Sequence, residues 1–125
     1  MIIGIGTDII EVERVEKQVS KNKGFREKVF SPSEIEYCES KKEKGQYYAV
    51  RFAAKEAFFK ALGTGWRNGL AFSEIEIIND DMGKPEIKLK GKTKKFVEKM
   101  GNVKIFVSLS HIKYFVNAMV IIEKL

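Results

Sequence analysis

The sequence predicts an α+β fold in which an antiparallel β-sheet packs with one long buried helix. Helical periods crowd the first half of the chain, and alternating strand patterns crowd the second. Between them lies the stretch 51–65, RFAAKEAFFKALGTG, whose alanines, leucine, lysines and glutamate favour a helix with no proline inside it. Gly63-Thr64-Gly65 supplies a left-handed stop.

On a helical wheel Phe52, Ala53, Ala54, Ala57, Phe58, Phe59, Ala61 and Leu62 leave no broad polar face, so this helix is expected to be buried. Its charges are therefore informative, because a buried carboxylate or ammonium costs several kcal/mol unless it is paired or holds a metal. Glu56 and Lys60 lie one turn apart and share a side; Arg51 and Lys55 share another, with Phe52 and Phe59 between the pairs. Two readings stand: ordinary ion pairs, Glu56 with Lys60 at (i, i+4), or a site with one carboxylate for a hard cation and several cations for phosphate oxygens.

Composition narrows the class. At 125 residues the chain reads as one domain, 1–125, small for an enclosed active site, so that chemistry at a subunit boundary is expected. No apolar run approaches the roughly 20 residues of a membrane span, and Met1-Ile2-Ile3 enters a strand rather than a signal peptide, which points to the cytoplasm. One cysteine, Cys38, and one histidine exclude a disulfide framework and a zinc cluster. A formal charge of +6 indicates a polyanionic partner: nucleic acid, an acidic protein or a phosphorylated small molecule.

In chain order, 2–8 reads as a buried strand whose Gly4 and Gly6 let something approach closely and which ends on Asp8. GIGTDI lacks the third glycine of a dinucleotide fingerprint, and no parallel βαβ unit follows. Asp8 either caps the next helix or belongs to a site. Val12, Val15 and Val19 mark an amphipathic helix over 11–20. Six basic residues, Arg14, Lys17, Lys21, Lys23, Arg26 and Lys28, then face two acids, Glu16 and Glu27; this patch is a solvated face or a docking surface for an acidic protein. Phe25 and Phe30 read as core anchors rather than base-stacking platforms.

Ser31 as cap, Pro32 at the first helical position and Glu34 three residues after the cap start a helix that runs to about residue 42. A charged connector, 41–45, leads to the central helix over 46–62. Segments 70–78 and 86–89 form a hairpin about the turn 79–85, and 91–100 is a short helix stopped by Gly101. Strands 104–110 and 115–123 follow, joined around His111-Ile112-Lys113. Ser108, Ser110 and His111 have either a structural role at a strand end or, with Lys113, suit a phosphate or ribose.

GIGTDIIEVERV, FSPSE, RFAAKEAFFKALGTG, GKP and SLSH, in this order and spacing, resemble the holo-acyl-carrier-protein synthase family of small phosphopantetheinyl transferases, from residue 3 to residue 123. The resemblance implies a phosphopantetheinyl transferase-like fold. It implies transfer of 4′-phosphopantetheine from coenzyme A to a serine of apo-acyl carrier protein, in support of fatty acid biosynthesis, with Mg²⁺ as the metal and 3′,5′-ADP as the second product. By the family's motifs Asp8 and Glu56 match the carboxylates that hold the ion, and Lys60 stabilises phosphate charge. The base is either a water activated by the ion or a carboxylate such as Glu56 acting through water.

Arg51, Lys84, Pro85, Ser110 and His111 match positions lining the nucleotide end of coenzyme A, with the Gly63-Thr64-Gly65 backbone shaping the same pocket. Arg14, Lys17 and Arg26 resemble the surface that receives the acidic carrier. Members of this length are homotrimers with active sites at subunit boundaries. The sequence departs from the family pattern SHTKEYA after His111, where it reads Ile112-Lys113-Tyr114-Phe115. The competing readings are a basic nucleic-acid-binding module, suggested by net charge alone, and a non-catalytic oligomeric subunit that keeps the fold.

Overall fold

The computed structural model describes residues 1–65 and 69–125. The elements run β1 (Ile2–Glu11), α1 (Val12–Lys21), α2 (Phe25–Val29), α3 (Pro32–Glu39), α4 (Lys44–Leu62), a 3₁₀ turn (Phe72–Glu74), β2 (Ile75–Asn79), β3 (Pro85–Leu89), α5 (Gly91–Glu98), β4 (Val103–His111) and β5 (Phe115–Lys124). Strands β1, β5 and β4 form an antiparallel sheet with β5 in the centre, and β2 with β3 forms a separate hairpin. Helices dominate the first half and strands the second, the α+β arrangement expected of the pattern, with β1 returning to the edge of the C-terminal sheet.

Helix α4 lies across the inner face of that sheet, burying Ala53, Ala54, Ala57, Phe58, Phe59 and Ala61. The approach of β1 to α4 depends on Gly4 and Gly6. A Cβ on Gly4 would overlap the carbonyl oxygen of Ala61, and one on Gly6 that of Ala57. The close approach those glycines predicted is therefore made by the helix itself.

Several boundaries differ from expectation for physical reasons. β1 continues past Asp8 because its ladder with β5 extends to Glu11 opposite Phe115. Asp8 thus lies within the strand, and Glu11 takes the N-cap of α1 without a side-chain cap. α2, five residues long and started by Gly24 at φ 91°, is too short to show a helical period. Ser31 and Glu34 make the expected reciprocal capping box. The 70–78 strand shortens to β2 because Phe72–Glu74 turns first. In the hairpin turn, Asp80 Oδ1 accepts from the Met82 and Lys84 amides at 2.9 and 2.8 Å.

A buried polar knot ties α3, α4 and the hairpin together. Lys55 Nζ donates to Glu34 Oε1 at 2.7 Å, to the Phe72 carbonyl at 2.9 Å and to the Ile75 carbonyl at 2.6 Å. The other Glu34 oxygen accepts from the Ile77 amide at 3.0 Å. Burial pulls the Lys55 pKa down, and Glu34 works against that shift. Beside it, burial opposes the charge of Glu76, but hydrogen bonds from Ser31, Ser33 and Lys90 outweigh it and hold the carboxyl down at about 2.

Lys55 therefore does not pair along its own helix. Lys55→Met would leave Glu34 charged and buried, and should lower the unfolding free energy by about 3–5 kcal/mol. Urea titration reads this directly, and the double variant Lys55→Met with Glu34→Gln should recover part of the loss.

Candidate active site

The inner face of β1 carries Gly4, Gly6, Asp8 and Ile10 in alternation, while Ile3, Ile5, Thr7 and Ile9 face out. Once the glycines let the strand lie on α4, Asp8 meets the C-terminal half of that helix. Lys60 Nζ donates to Asp8 Oδ1 and to the Thr7 carbonyl, both at 3.0 Å. Asn117 Nδ2 donates to the Asp8 carbonyl at 3.1 Å, which steadies the strand from β5. The (i, i+4) pairing of Lys60 with Glu56 is not formed; the lysine reaches across to the strand instead.

Glu56, half-buried, completes this group. It borders an apolar hollow of about 430 Å³ walled by Phe25, Val29, Phe52, Leu70 and Phe72. Burial raises its pKa first and the charge of Asp8 adds to the rise, while Lys60 and Arg14 pull it back. Residues from β1, α4 and α1 thus bring two carboxylates and two cations within electrostatic range of one another.

That donor set fits a hard divalent cation. Carboxylate oxygens are its ligand chemistry, and a cation between Asp8 and Glu56 would relieve the repulsion that each imposes on the other. Among the described residues no group of three His, Cys, Asp or Glu could hold an ion unaided. An ion here would take its remaining ligands from water and substrate oxygens, which is the habit of Mg²⁺ rather than of Zn²⁺ or Ca²⁺.

A second cluster opens elsewhere on α4. Arg51, Lys84, Pro85 and His111 line one cavity of about 390 Å³, together with Tyr37, Tyr47, Asn79 and Ser108. No carboxylate is in its wall among the described residues. Arg51 is buried, donates from Nη2 to Asn79 Oδ1 at 2.9 Å, and keeps a buried Nε with no hydrogen-bond partner. Asn79 in turn donates from Nδ2 to the Gly83 carbonyl at 3.0 Å, so the hairpin turn that presents Lys84 and Pro85 also fixes the arginine.

Ser110 shares the outward face of β4 with Ser108 but is not part of this wall. Gly63, Thr64 and Gly65 lie past the C-terminal end of α4, on the Lys60 side, and do not line the Arg51 cavity. Gly63 at φ 81° caps the helix and Thr64 Oγ1 donates to the Gly65 carbonyl at 2.9 Å. Of the expected docking cations, Arg14 acts on Glu56 from α1, Lys17 pairs with Glu13 at 3.1 Å, and Arg26 pairs with Glu27 and Glu39 at 3.2 and 3.4 Å. These exposed pairs are each worth under about 1 kcal/mol and exchange readily for another anion.

Arg51 and Glu56 are five residues apart, which turns them about 140° around the helix and about 7.5 Å along it. One chain therefore carries two separate half-sites, one of carboxylates with Lys60 and one of cations without carboxylates.

The model of the 4′-phosphopantetheinyl transferase superfamily matches residues 4–111. The holo-[acyl-carrier-protein] synthase of Geobacter sp. strain M21 is 47% identical over 125 residues, covering 99% of this chain and 100% of its own length. The crystal structure of holo-[acyl-carrier-protein] synthase from Neisseria meningitidis superposes with a TM-score of 0.91 at 37% identity, over 99% of this chain and 100% of the other. The enzyme of that name from Bacillus anthracis, solved in complex with CoA (3′,5′-ADP), superposes with a TM-score of 0.83 at 37% identity, over 99% and 98%. The chain belongs to the holo-[acyl-carrier-protein] synthase family of phosphopantetheinyl transferases, and it is an enzyme of the transferase class.

Gly6→Ala should lower stability by about 1–3 kcal/mol through the clash with Ala57 and reduce transferase activity by displacing Asp8 from Lys60 and Glu56. Thermal melting and initial rates on the same preparation check both effects.

Proposed function

We propose that residues 1–125 work as a single domain that transfers 4′-phosphopantetheine from coenzyme A to a serine of apo-acyl carrier protein, in a Mg²⁺-dependent reaction serving fatty acid biosynthesis. The observation that carries the reading is the Lys60–Asp8 pair within electrostatic reach of Glu56, where β1 lies on α4. Asp8 and Glu56 would hold the ion. When bound, Mg²⁺ supplies charge neutralisation on the phosphate oxygens. Lys60, exposed enough to leave Asp8, moves its charge to the phosphate oxygens as negative charge develops there.

The carrier serine Oγ attacks the phosphorus that bears the pantetheine. One P–O bond forms, and the P–O bond to 3′,5′-ADP breaks as the serine proton is lost. A carboxylate such as Glu56, acting through water, would accept that proton. No protein nucleophile is required.

The nucleotide end of coenzyme A occupies the carboxylate-free cavity. The pyrophosphate belongs to the Asp8 half-site, so the 3′-phosphate, the other anionic group, falls to Arg51, Lys84 and His111. Because the halves diverge around α4, the donor joins the carboxylates of one subunit to the cavity of the next, in a closed homotrimer. The bare outer face of the sheet supports that assembly: Ile5 and Ile9 are 63% and 69% exposed in the single chain, and Phe106 and Met119 stand on neighbouring strands of the same face. Arg14, with Lys17 and Arg26 nearby, borders the carboxylate half-site and receives the acidic carrier. The absence of a helix long and apolar enough to cross a membrane, among the described residues, supports a cytoplasmic enzyme.

Intact mass of apo-acyl carrier protein after incubation with this protein, coenzyme A and Mg²⁺ should rise by one phosphopantetheine, and EDTA should abolish the gain. Asp8→Ala and Glu56→Ala should each cut transfer at least about 100-fold while keeping the melting temperature. Near-normal rates in both variants at saturating Mg²⁺ would reject the assignment.

Subunit sharing makes a separate demand. Asp8→Ala and Arg51→Ala chains, each inactive alone, should regain about one quarter of wild-type activity when refolded as an equal mixture, since random assembly leaves that share of boundaries intact. No recovery in mixtures that light scattering shows to be trimeric would confine the site to one chain.

A further inference from the structure

The Arg51 guanidinium is 4% exposed and makes no ion pair with a carboxylate among the described residues. A buried cation without a counter-charge needs another source of stabilisation. The source is Tyr37 on α3, whose ring centroid lies 4.4 Å from the Arg51 Cζ. Lys41 Nζ stands 4.7 Å from the same centroid, and the Tyr47 ring meets Tyr37 edge-on at 5.9 Å.

A π-face and a carboxylate hold a guanidinium differently. A carboxylate would neutralise it and occupy its donors in the plane. A ring attracts it through the quadrupole, from above the plane, leaving the charge and the in-plane donors for something else. Asn79 takes one Nη2 donor and Nε is buried without a partner, while Arg51 and Tyr37 both line the cavity. The tyrosine hydroxyl takes part in no hydrogen bond among the described side chains, so the ring alone performs this role.

We propose that Tyr37 is a positioning residue for the donor nucleotide. Its ring holds the Arg51 guanidinium in a fixed plane at the wall of the cavity that receives the 3′-phosphate, and does so without neutralising it. The proposal rests on the reading of the Arg51 cavity as the nucleotide half-site. It also makes Tyr37 a determinant of the preference for coenzyme A over 3′-dephospho-coenzyme A, since only the former carries the anion that Arg51 awaits.

Tyr37 is half-buried on a helix surface, so Tyr37→Leu and Tyr37→Phe are compatible with the fold, which melting temperature and trimer mass verify. Tyr37→Leu should raise the KM for coenzyme A about tenfold with kcat within about twofold, and Tyr37→Phe should match wild type. With 3′-dephospho-coenzyme A the Leu variant should match wild type, so that the preference between donors shrinks by the same factor.

An unchanged KM in Tyr37→Leu overturns the proposal. So does equal weakening of both donors, which would indicate a merely structural ring, and so does a Phe variant as weak as Leu. Calorimetric titration of wild type with 3′,5′-ADP separates the underlying reading. Absence of binding there overturns the nucleotide half-site and Tyr37 with it, whereas binding that the Leu variant retains in full overturns Tyr37 alone.

Discussion

The contact between β1 and α4 governs the rest of the molecule. A strand with two glycines on its inner face lies against a helix whose facing positions are alanines, so that backbone meets backbone where side chains would ordinarily intervene. A single added methyl at either glycine would collide with a helix carbonyl, so strand and helix could not keep this approach. The functional consequence is set by the next residue on the same face. Asp8 follows Gly4 and Gly6 at the strand period, so the contact that requires glycine also delivers the carboxylate to Lys60 and Glu56.

Two charge clusters on α4 show how burial sorts structure from chemistry. Lys55 and Glu34 have fully buried side chains, and every Lys55 donor is used, two of them by backbone carbonyls. A closed set of that kind fixes α3, α4 and the hairpin in register and has nothing left to offer a ligand. Five residues on, Lys60 is 55% exposed and Asp8 15% exposed, and their pair is worth at most about 1 kcal/mol. That weakness leaves Lys60 able to exchange its partner at small cost, which the closed Lys55 set cannot do.

The same distinction explains what was legible in the sequence. The stretch 51–65 announced a buried helix because propensity and periodicity are local, and the Ser31–Glu34 box and the 79–85 turn were readable for the same reason. Of the two readings left open for the charges within that helix, the Glu56–Lys60 pair did not form, because the partners lie far along the chain. Lys60 finds Asp8 52 residues away, Lys55 finds Glu34 at 21, and Arg51 finds Asn79 at 28. The membership of Lys84, Pro85 and His111 in the Arg51 cavity came from family resemblance, not from any local pattern. Tyr37, Asn79 and Tyr47 gave no signal, since an aromatic on a charged helix and an asparagine before a turn are ordinary features until the fold brings them to one guanidinium.

The separation of the half-sites follows from the helix that carries both. An α-helix buried nearly all round cannot present Arg51 and Glu56 to one opening when they lie about 140° apart, and moving either by a turn would cost it its partner, Asn79 or Asp8. A small chain gains from that conflict. Cations without carboxylates and carboxylates awaiting a cation would neutralise one another if they faced the same cavity in the free subunit. On opposite sides of α4 the two clusters stay apart, so the helix that positions both also keeps either from neutralising the other within one chain.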